Sequence, residues 1–231
     1  MIDFHAHFLP EIDDGAKDVA ESIKMLKDSF AQGVEICVGT PHAAVHSNDS
    51  IGLFLEKRER SIAMLEKALE EEKSEIPRLY YGAEVFLDNP IAEYENIGKL
   101  CLADTNCLLV ELSVGEYNPN YSEWLYSLTV KGIVPIIAHV ERYPYLEELT
   151  VDLNGVNVFY QINANTVIHR NGRSLLEKQL MDAGGVVISS DMHNTAKRKT
   201  QMKKAFDKVN KSMPEIAFEV FEKTPKSILG L

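Results

Sequence analysis

The chain opens Met1-Ile2-Asp3-Phe4-His5-Ala6-His7, a short apolar run that ends in two histidines spaced two apart. Side chains alternate along a strand with period two, so His-x-His places both imidazoles on one face. Six further apolar runs follow, at Val34–Val38, Leu79–Ala83, Cys107–Val110, Ile133–Ala138, Val158–Ile162 and Val186–Ile188. Each gives way to polar residues: Thr40-Pro41-His42, then Glu84, Glu111, His139-Val140-Glu141-Arg142, Asn163 and Ser190-Asp191-Met192-His193. Between the runs lie segments with helical periodicity, such as Val19–Gln32, Ile51–Lys73 and Ser122–Lys131. Strand and helix alternating about seven times specify a parallel α/β architecture. An open sheet would bring together only the strand ends at its switch point. A barrel gathers every C-terminal strand end at one mouth. Polar ends on all seven runs therefore predict a TIM-like α/β barrel of about seven strands.

Composition sets the outer limits. The 231 residues carry 24 Lys+Arg against 35 Asp+Glu, a net charge of −11, with 45% hydrophobic and 26% charged residues. These proportions exclude a disordered or fibrous chain, and no apolar run approaches the roughly 20 residues of a membrane span. The acidic balance argues against a nucleic-acid backbone as partner, which rewards basic patches. Gly and Pro fall singly at expected turns (Gly33, Pro77, Gly132, Gly155), with one pair at Gly184–Gly185, and no linker interrupts the chain. One domain over 1–231 is expected. Three cysteines and no secretory leader point to a reducing compartment, the cytoplasm.

Five of the seven histidines (His5, His7, His42, His139, His193) fall at strand ends, with Glu84, Glu111 and Asp191 beside them. Imidazole and carboxylate without thiolate suit Mn, Fe or Zn. Eight ligands exceed the needs of one ion, so two or three divalent metals bridged by a carboxylate such as Glu84 are expected. Such a cluster lowers the pKa of a bridging water and orients an in-line attack. Arg142 and Arg198 follow two of these strand ends, and a guanidinium grips phosphate oxygens as a fork. The expected reaction is phosphoester hydrolysis by a metal-bridged hydroxide.

These residues, in this order, resemble the PHP (polymerase and histidinol phosphatase) superfamily. The opening His5-Ala-His7 with Asp13-Asp14-Gly15-Ala16, Thr40-Pro-His42, Gly82-Ala-Glu84, Ala138-His-Val-Glu-Arg142-Tyr143, Gln161-Ile-Asn163-Ala164 and Ser190-Asp-Met-His-Asn194 carry the likeness. More narrowly, the chain is similar to the bacterial protein-tyrosine phosphatases of capsule and exopolysaccharide loci, of the CpsB/YwqE type, from residue 1 to Thr224-Pro-Lys-Ser-Ile-Leu. The resemblance implies a distorted (β/α)7 barrel with a trinuclear, usually Mn-dependent site. Its ligands map onto His5, His7, His42, Glu84, Glu111, His139, Asp191 and His193, and its phosphate-binding arginines onto Arg142 and Arg198. It also implies a role for Asp14 near the site, orienting a ligand or donating a proton; His193 is the other candidate for assisting the leaving group. The implied substrate is the phosphorylated tyrosine-rich tail of a bacterial tyrosine kinase controlling polysaccharide export. Two departures stand out. Ala43 sits where members often carry a second histidine, and is expected to alter the pocket rim. Val140 sits where many carry proline.

Competing readings make different demands on the residues. A cysteine-dependent phosphatase needs Arg six residues after its Cys; Cys37, Cys101 and Cys107 are followed there by Ala43, Cys107 and Ser113, which excludes it. An amidohydrolase would bring a bridging Lys and a further His where Glu111 and Gln161/Asn163 stand. A metal-dependent nuclease would want a basic cleft, and the basic clusters are only short, such as Lys197–Lys199 and Lys203–Lys204. A catalytically silent metal-binding regulator is disfavoured by the intact ligand set. A histidinol-phosphate phosphatase shares the metal cluster and the reaction. The −11 charge does not forbid a phosphate substrate, because two or three divalent cations would add about +4 to +6 at the mouth.

Overall fold

The computed structural model describes residues 1–169 and 185–231; Gly184 of the expected turn pair lies outside them. Strands β1 (Ile2–Ala6), β2 (Ile36–Gly39), β3 (His42–Ala44), β4 (Arg78–Tyr81), β5 (Glu84–Phe86), β6 (Cys107–Glu111), β7 (Val134–Ile137), β8 (Phe159–Asn163) and β9 (Val186–Ser189) alternate with helices. The principal helices are α1 (Val19–Ala31), α2 (Asn48–Glu71), α3 (Tyr121–Val130), α4 (Leu146–Asp152), α5 (Ala164–His169), α6 (Met202–Ser212), α7 (Pro214–Phe218) and α8 (Thr224–Leu229). All strand pairs among the described residues are parallel. No described helix is long and apolar enough to cross a membrane.

The nine strands of the described residues serve as seven staves. β2 pairs with β4 from Ile36↔Arg78 to Gly39↔Tyr81, and β3 pairs with β5 from His42↔Glu84 to Ala44↔Phe86. The offset of 42 residues is the same in both ladders, so each pair of fragments is one stave with a break. Pro41 has no N–H to give to a ladder, and Thr40 turns its hydroxyl to accept from the Ala6 N–H (3.1 Å). Bonds from Gly82 N–H to Gly39 O (2.9 Å) and from Glu84 N–H to Pro41 O (3.0 Å) carry the pairing across the breaks.

The sheet orders β1-β2-β4 and β3-β5-β6-β7-β8-β9 thereby run round one ring. The seam between β9 and β1 is joined at the mouth by the Ala6↔Met192 bridge, by Asp191 N–H to His5 O and by His7 N–H to Met192 O (both 2.9 Å). Deeper in the seam, side chains replace the ladder. The Phe4 N–H donates to Ser189 Oγ (3.3 Å) and the Ser190 N–H to Asp3 Oδ1 (2.9 Å).

Two apolar layers hold this ring. One, between strands and helices, includes Leu26, Leu65, Val85, Ile137 and Ile188. The other joins Ile2, Phe4, Val38, Leu109, Ile136 and Val187 to Ile228 and Leu229 of α8, forming a floor beneath the mouth. β1 slips register by one residue between Asp3 and Ala6. A bulge of this kind reverses the facing of the residues beyond it, so even-numbered Ile2 and Phe4 share the floor while odd-numbered His5 and His7 point inward above it. Ala43 is buried in the outer layer. The expected effect of Ala43 on the pocket rim is therefore corrected: alternation along β3 turns its side chain away from the mouth, where His42 faces.

Candidate functional site

All eight residues expected as metal ligands meet at the mouth of the ring. The Glu84 carboxylate, buried at the start of β5, is central: Oε2 lies 3.2 Å from His5 Nε2, 3.3 Å from His7 Nε2 and 3.0 Å from His42 Nδ1, while Oε1 lies 2.9 Å from His139 Nε2. Glu111, half-buried, approaches His139 Nε2 (3.4 Å) and His42 Nδ1 (3.9 Å). Asp191 Oδ1 faces His5 and His7 Nε2 (3.6 and 3.7 Å) and His193 Nδ1 (3.4 Å). Three groups can each hold an ion among the described residues: His5, His7 and Glu84; His42, Glu84 and Glu111; and His7, Asp14, His42 and His193.

The donor chemistry fits cations there. His7 Nδ1 is engaged by Asp13 Oδ2 (2.7 Å) and His5 Nδ1 by Gln161 Oε1 (3.0 Å). Both partners accept hydrogen bonds, so both rings carry their proton on Nδ1 and present a lone pair at Nε2. Those two Nε2 atoms face each other across 3.2 Å. Glu84 Oε2 and His193 Nε2 are buried without a hydrogen-bond partner. Facing lone pairs beside an orphaned carboxylate oxygen are satisfied by a positive ion between them.

Local backbone aims these groups. His139 (φ 30°, ψ 53°) and Asp191 (φ 52°) adopt the left-handed conformation just past β7 and β9, a strain typical of functional positions. Past β6, the Tyr143 hydroxyl accepts from the Leu112 N–H and the Tyr121 hydroxyl from the Ser113 N–H (both 2.9 Å), fixing the backbone beyond Glu111. The first loop is packed so closely that a Cβ on Gly15 would lie 2.1 Å from the His7 carbonyl oxygen.

Charges polarise the mouth. Burial works against positive charge at His7, but the Asp13 and Glu84 carboxylates outweigh it and draw a proton or a metal ion there. Burial likewise opposes the Glu84 charge, yet His5, His139 and His42 hold its carboxyl well below the usual range. His193 goes the other way: burial, His7 and Arg198 push it down to about 3 against the pull of Asp191 and Asp14. Its Nδ1 faces the Asp191 carbonyl oxygen (3.0 Å) and carries the proton there, leaving a lone pair on Nε2, so the geometry favours His193 as ligand over proton donor.

The arginines stand where expected, with an unforeseen partner. Arg142 Nη2 donates to Asp191 Oδ2 (2.5 Å) and Arg198 Nη2 to Asp191 Oδ1 (3.0 Å), and both side chains remain about a third or more exposed. They line one side of a cavity of about 140 Å³ with Asn163, Ser190, Lys197 and Lys199. Asp14 lies at the exposed lip, 3.4 Å from both His42 Nε2 and His193 Nε2 and 3.5 Å from Arg198 Nη1. Asp13 is the residue that sequence reasoning missed. Besides His7 it accepts from the Gly15 N–H (2.9 Å) and the His42 N–H (3.0 Å). Its signal is an Asp before an Asp-Gly turn, six residues after His7. His46 pairs with Asp88 on the surface and takes no part.

The chain is 29% identical to "Tyrosine-protein phosphatase CpsB" of Streptococcus pneumoniae, over 99% of this chain and 98% of the relative. It is 31% identical to "Tyrosine-protein phosphatase YwqE" of Bacillus subtilis strain 168, over 86% of this chain and 79% of the relative. Among solved structures, one described with YwqE from Bacillus subtilis and CpsB from Streptococcus pneumoniae as metal-dependent tyrosine phosphatases superposes with a TM-score of 0.82, at 24% identity over 100% of this chain and 94% of that one. A β-aspartyl dipeptidase of Fervidobacterium islandicum AW-1 shares the fold alone, with a TM-score of 0.56 at 15% identity over 100% of this chain and 74% of that one. The family described as capsular polysaccharide synthesis, CpsB/CapC, matches residues 1–230, and with a relative above 30% identity along most of its length the chain belongs to that family.

Proposed function

We propose that this chain is a metal-dependent protein-tyrosine phosphatase, a phosphoric monoester hydrolase acting through all of residues 1–231 as one phosphatase domain. The observation that carries the reading is the adjacency of an imidazole–carboxylate cluster to a cavity edged by two arginines and two lysines. In this reading His5, His7, His42, Glu84, Glu111, His139, Asp191 and His193 hold two or three divalent ions, most naturally Mn2+, with Fe or Zn as alternatives. Bound ions of this kind supply charge neutralisation and a nucleophile at neutral pH.

The protein's own groups do the positioning. Each guanidinium commits one Nη to Asp191 and keeps further N–H groups for phosphoryl oxygens. Asp191 thus fixes both forks on one side of the cavity, and their charge stabilises the equatorial oxygens as the ester bond breaks. Lys197 and Lys199 extend the positive wall. Asp14 contacts His42, His193 and Arg198 at the lip, a place suited to orienting these groups or to passing a proton to the departing phenolate. The relatives' names support phosphotyrosine protein as substrate, and the family description supports a place in capsular polysaccharide synthesis; the substrate we propose there is a bacterial tyrosine kinase tail, met in the cytoplasm.

The test compares turnover of a phosphotyrosine peptide, histidinol phosphate and single-stranded DNA by Mn-loaded protein, with a chelator control and Arg142→Ala. The expected outcome is preference for the peptide, loss on chelation, and a fall in kcat/KM of about 10–150-fold for Arg142→Ala, the worth of one charge-assisted contact. Preference for histidinol phosphate or DNA overturns the substrate class. Indifference to chelation overturns the site.

A further inference from the structure

Six staves of the ring offer imidazole or carboxylate at the mouth; β8 ends instead in two amides, Gln161 and Asn163, both buried. Gln161 Oε1 accepts from the His139 backbone N–H (2.6 Å) and from His5 Nδ1 (3.0 Å). Gln161 Nε2 donates to Asn163 Oδ1 (2.8 Å), and Asn163 Nδ2 donates to Asp191 Oδ2 (2.8 Å). Behind them, Glu141 accepts from the Asn163 N–H (3.4 Å) and from the Thr166 hydroxyl (3.1 Å).

The direction of this chain is forced at both ends. A backbone N–H can only donate, so the atom facing His139 is the Gln161 oxygen. A carboxylate can only accept, so the atom facing Asp191 is the Asn163 nitrogen. Between these anchors each amide has one orientation, and His5 must carry its proton on Nδ1.

We infer that Gln161 and Asn163 are positioning residues that preset three ligands from three other staves for a divalent cation. Gln161 sets the His5 tautomer, so that Nε2 points its lone pair at Glu84. It also ties down the left-handed backbone of His139. Asn163 shares Asp191 Oδ2 with Arg142, while Oδ1, which also accepts from Arg198 (3.0 Å), is turned toward His5, His7 and His193. The inference rests on the ligand assignment proposed above. Partners of this kind to metal-binding histidines typically carry about 10–100-fold in affinity.

The experiment titrates Mn2+ calorimetrically into chelator-stripped wild type, Gln161→Met, Gln161→Glu and His5→Ala, and reads imidazole tautomers by long-range 15N–1H NMR. Gln161→Met, close in size but unable to accept these bonds, is expected to weaken Mn2+ binding by about 10–100-fold and to leave His5 without a single tautomer. Gln161→Glu keeps both acceptor contacts and the Nδ1–H tautomer. Its second oxygen turns the Asn163 amide over, however, setting an oxygen against Asp191, so affinity falls while the tautomer stays. Folded Gln161→Met that binds Mn2+ within about threefold of wild type and keeps the tautomer overturns the inference. If Gln161→Met does not fold, wild-type affinity in Gln161→Glu overturns it. Unchanged binding in His5→Ala overturns the ligand assignment instead, a separate and distinguishable result.

Discussion

Gly15→Ala tests whether the first loop is a structural part of the site. The added Cβ would sit 2.1 Å from the His7 carbonyl oxygen, 2.6 Å from the His7 Cβ and 2.9 Å from Asp13 Oδ1. Two of these three neighbours belong to His7, in the continuation of β1, so the loop must move, by roughly 1 Å or more to reach ordinary contact distance. That displacement stretches the Ala16 N–H to His7 O bond (3.0 Å) and the Asp13–His7 contact (2.7 Å) past useful length. A neutral hydrogen bond contributes about 1 kcal/mol and one to a charged group about 1.5–3 kcal/mol, so about 3 kcal/mol of stability is at stake. For a chain of this size that lowers the melting midpoint by about 6–12 °C. Calorimetry on the chelator-stripped variant measures it. Gly52→Ala in α2, where a Cβ meets nothing within 4 Å, is the control and should gain about 0.5–1 kcal/mol from helix propensity. Loss of alignment at His7 should also lower kcat/KM by about 10²-fold. A Gly15→Ala protein melting within about 2 °C of wild type, with normal turnover, would refute the claim that this loop supports His7.

Other expectations come from single contacts. Asp13→Asn can keep its oxygen toward His7 and His42 and lose only the Gly15 bond, whereas Asp13→Ala loses all three. Mn2+ affinity should therefore fall by about 10–100-fold in the alanine variant and less in the asparagine, measured by calorimetric titration; equal affinities would contradict the geometry. The Lys27 hydrogen bond, followed by Ser74, pulls the Glu72 carboxyl down to about 2. A depressed carboxyl adds stability that is present above its unfolded value near 4.5 and lost as pH falls through its folded value toward 2. A 13C NMR titration should place its midpoint well below 4.5, and Lys27→Met should move it up. Burial raises the thiol pKa of Cys37, Cys101 (to about 12) and Cys107. Native protein should stay inert to a disulfide reagent at about pH 8 and react at its three thiols once denatured; rapid native labelling would contradict their burial.

Most of the mouth was legible because metal chemistry restricts residue type. His, Glu and Asp at the ends of β-branched runs announce themselves, and the barrel follows from their number. The hidden part depends on relations between distant segments. Nothing in Val34–Val38 or Leu79–Ala83 tells that each stave breaks, since the break is defined by a pairing offset shared with the other stave. The slip in β1 is likewise visible only against β2, and without it His5 would be expected opposite to Phe4. Asp13 escapes notice because a carboxylate in an Asp-Asp-Gly turn reads as turn chemistry, and its hold on His7 appears only when the loop folds back. Ala43 reads as a rim residue because its neighbour His42 is there, whereas alternation sends adjacent side chains to opposite layers.

The seam between β1 and β9 joins segments far apart in the sequence, and His5 and His7 stand on one side of it while Asp191 and His193 stand on the other. Closing a loop of roughly 180 residues costs more chain entropy than pairing strands close in sequence, and forms late. His5 and His7 therefore meet Asp191 and His193 only after most of the intervening chain is in place. In the proposed ligand set, an ion held from both sides would act as a clasp on the finished ring, and its binding energy would be folding energy. Partial chains carry only half a grip. In that reading reactivity and structural completion would arrive as one event, and stripping the ion would loosen the joint that holds it.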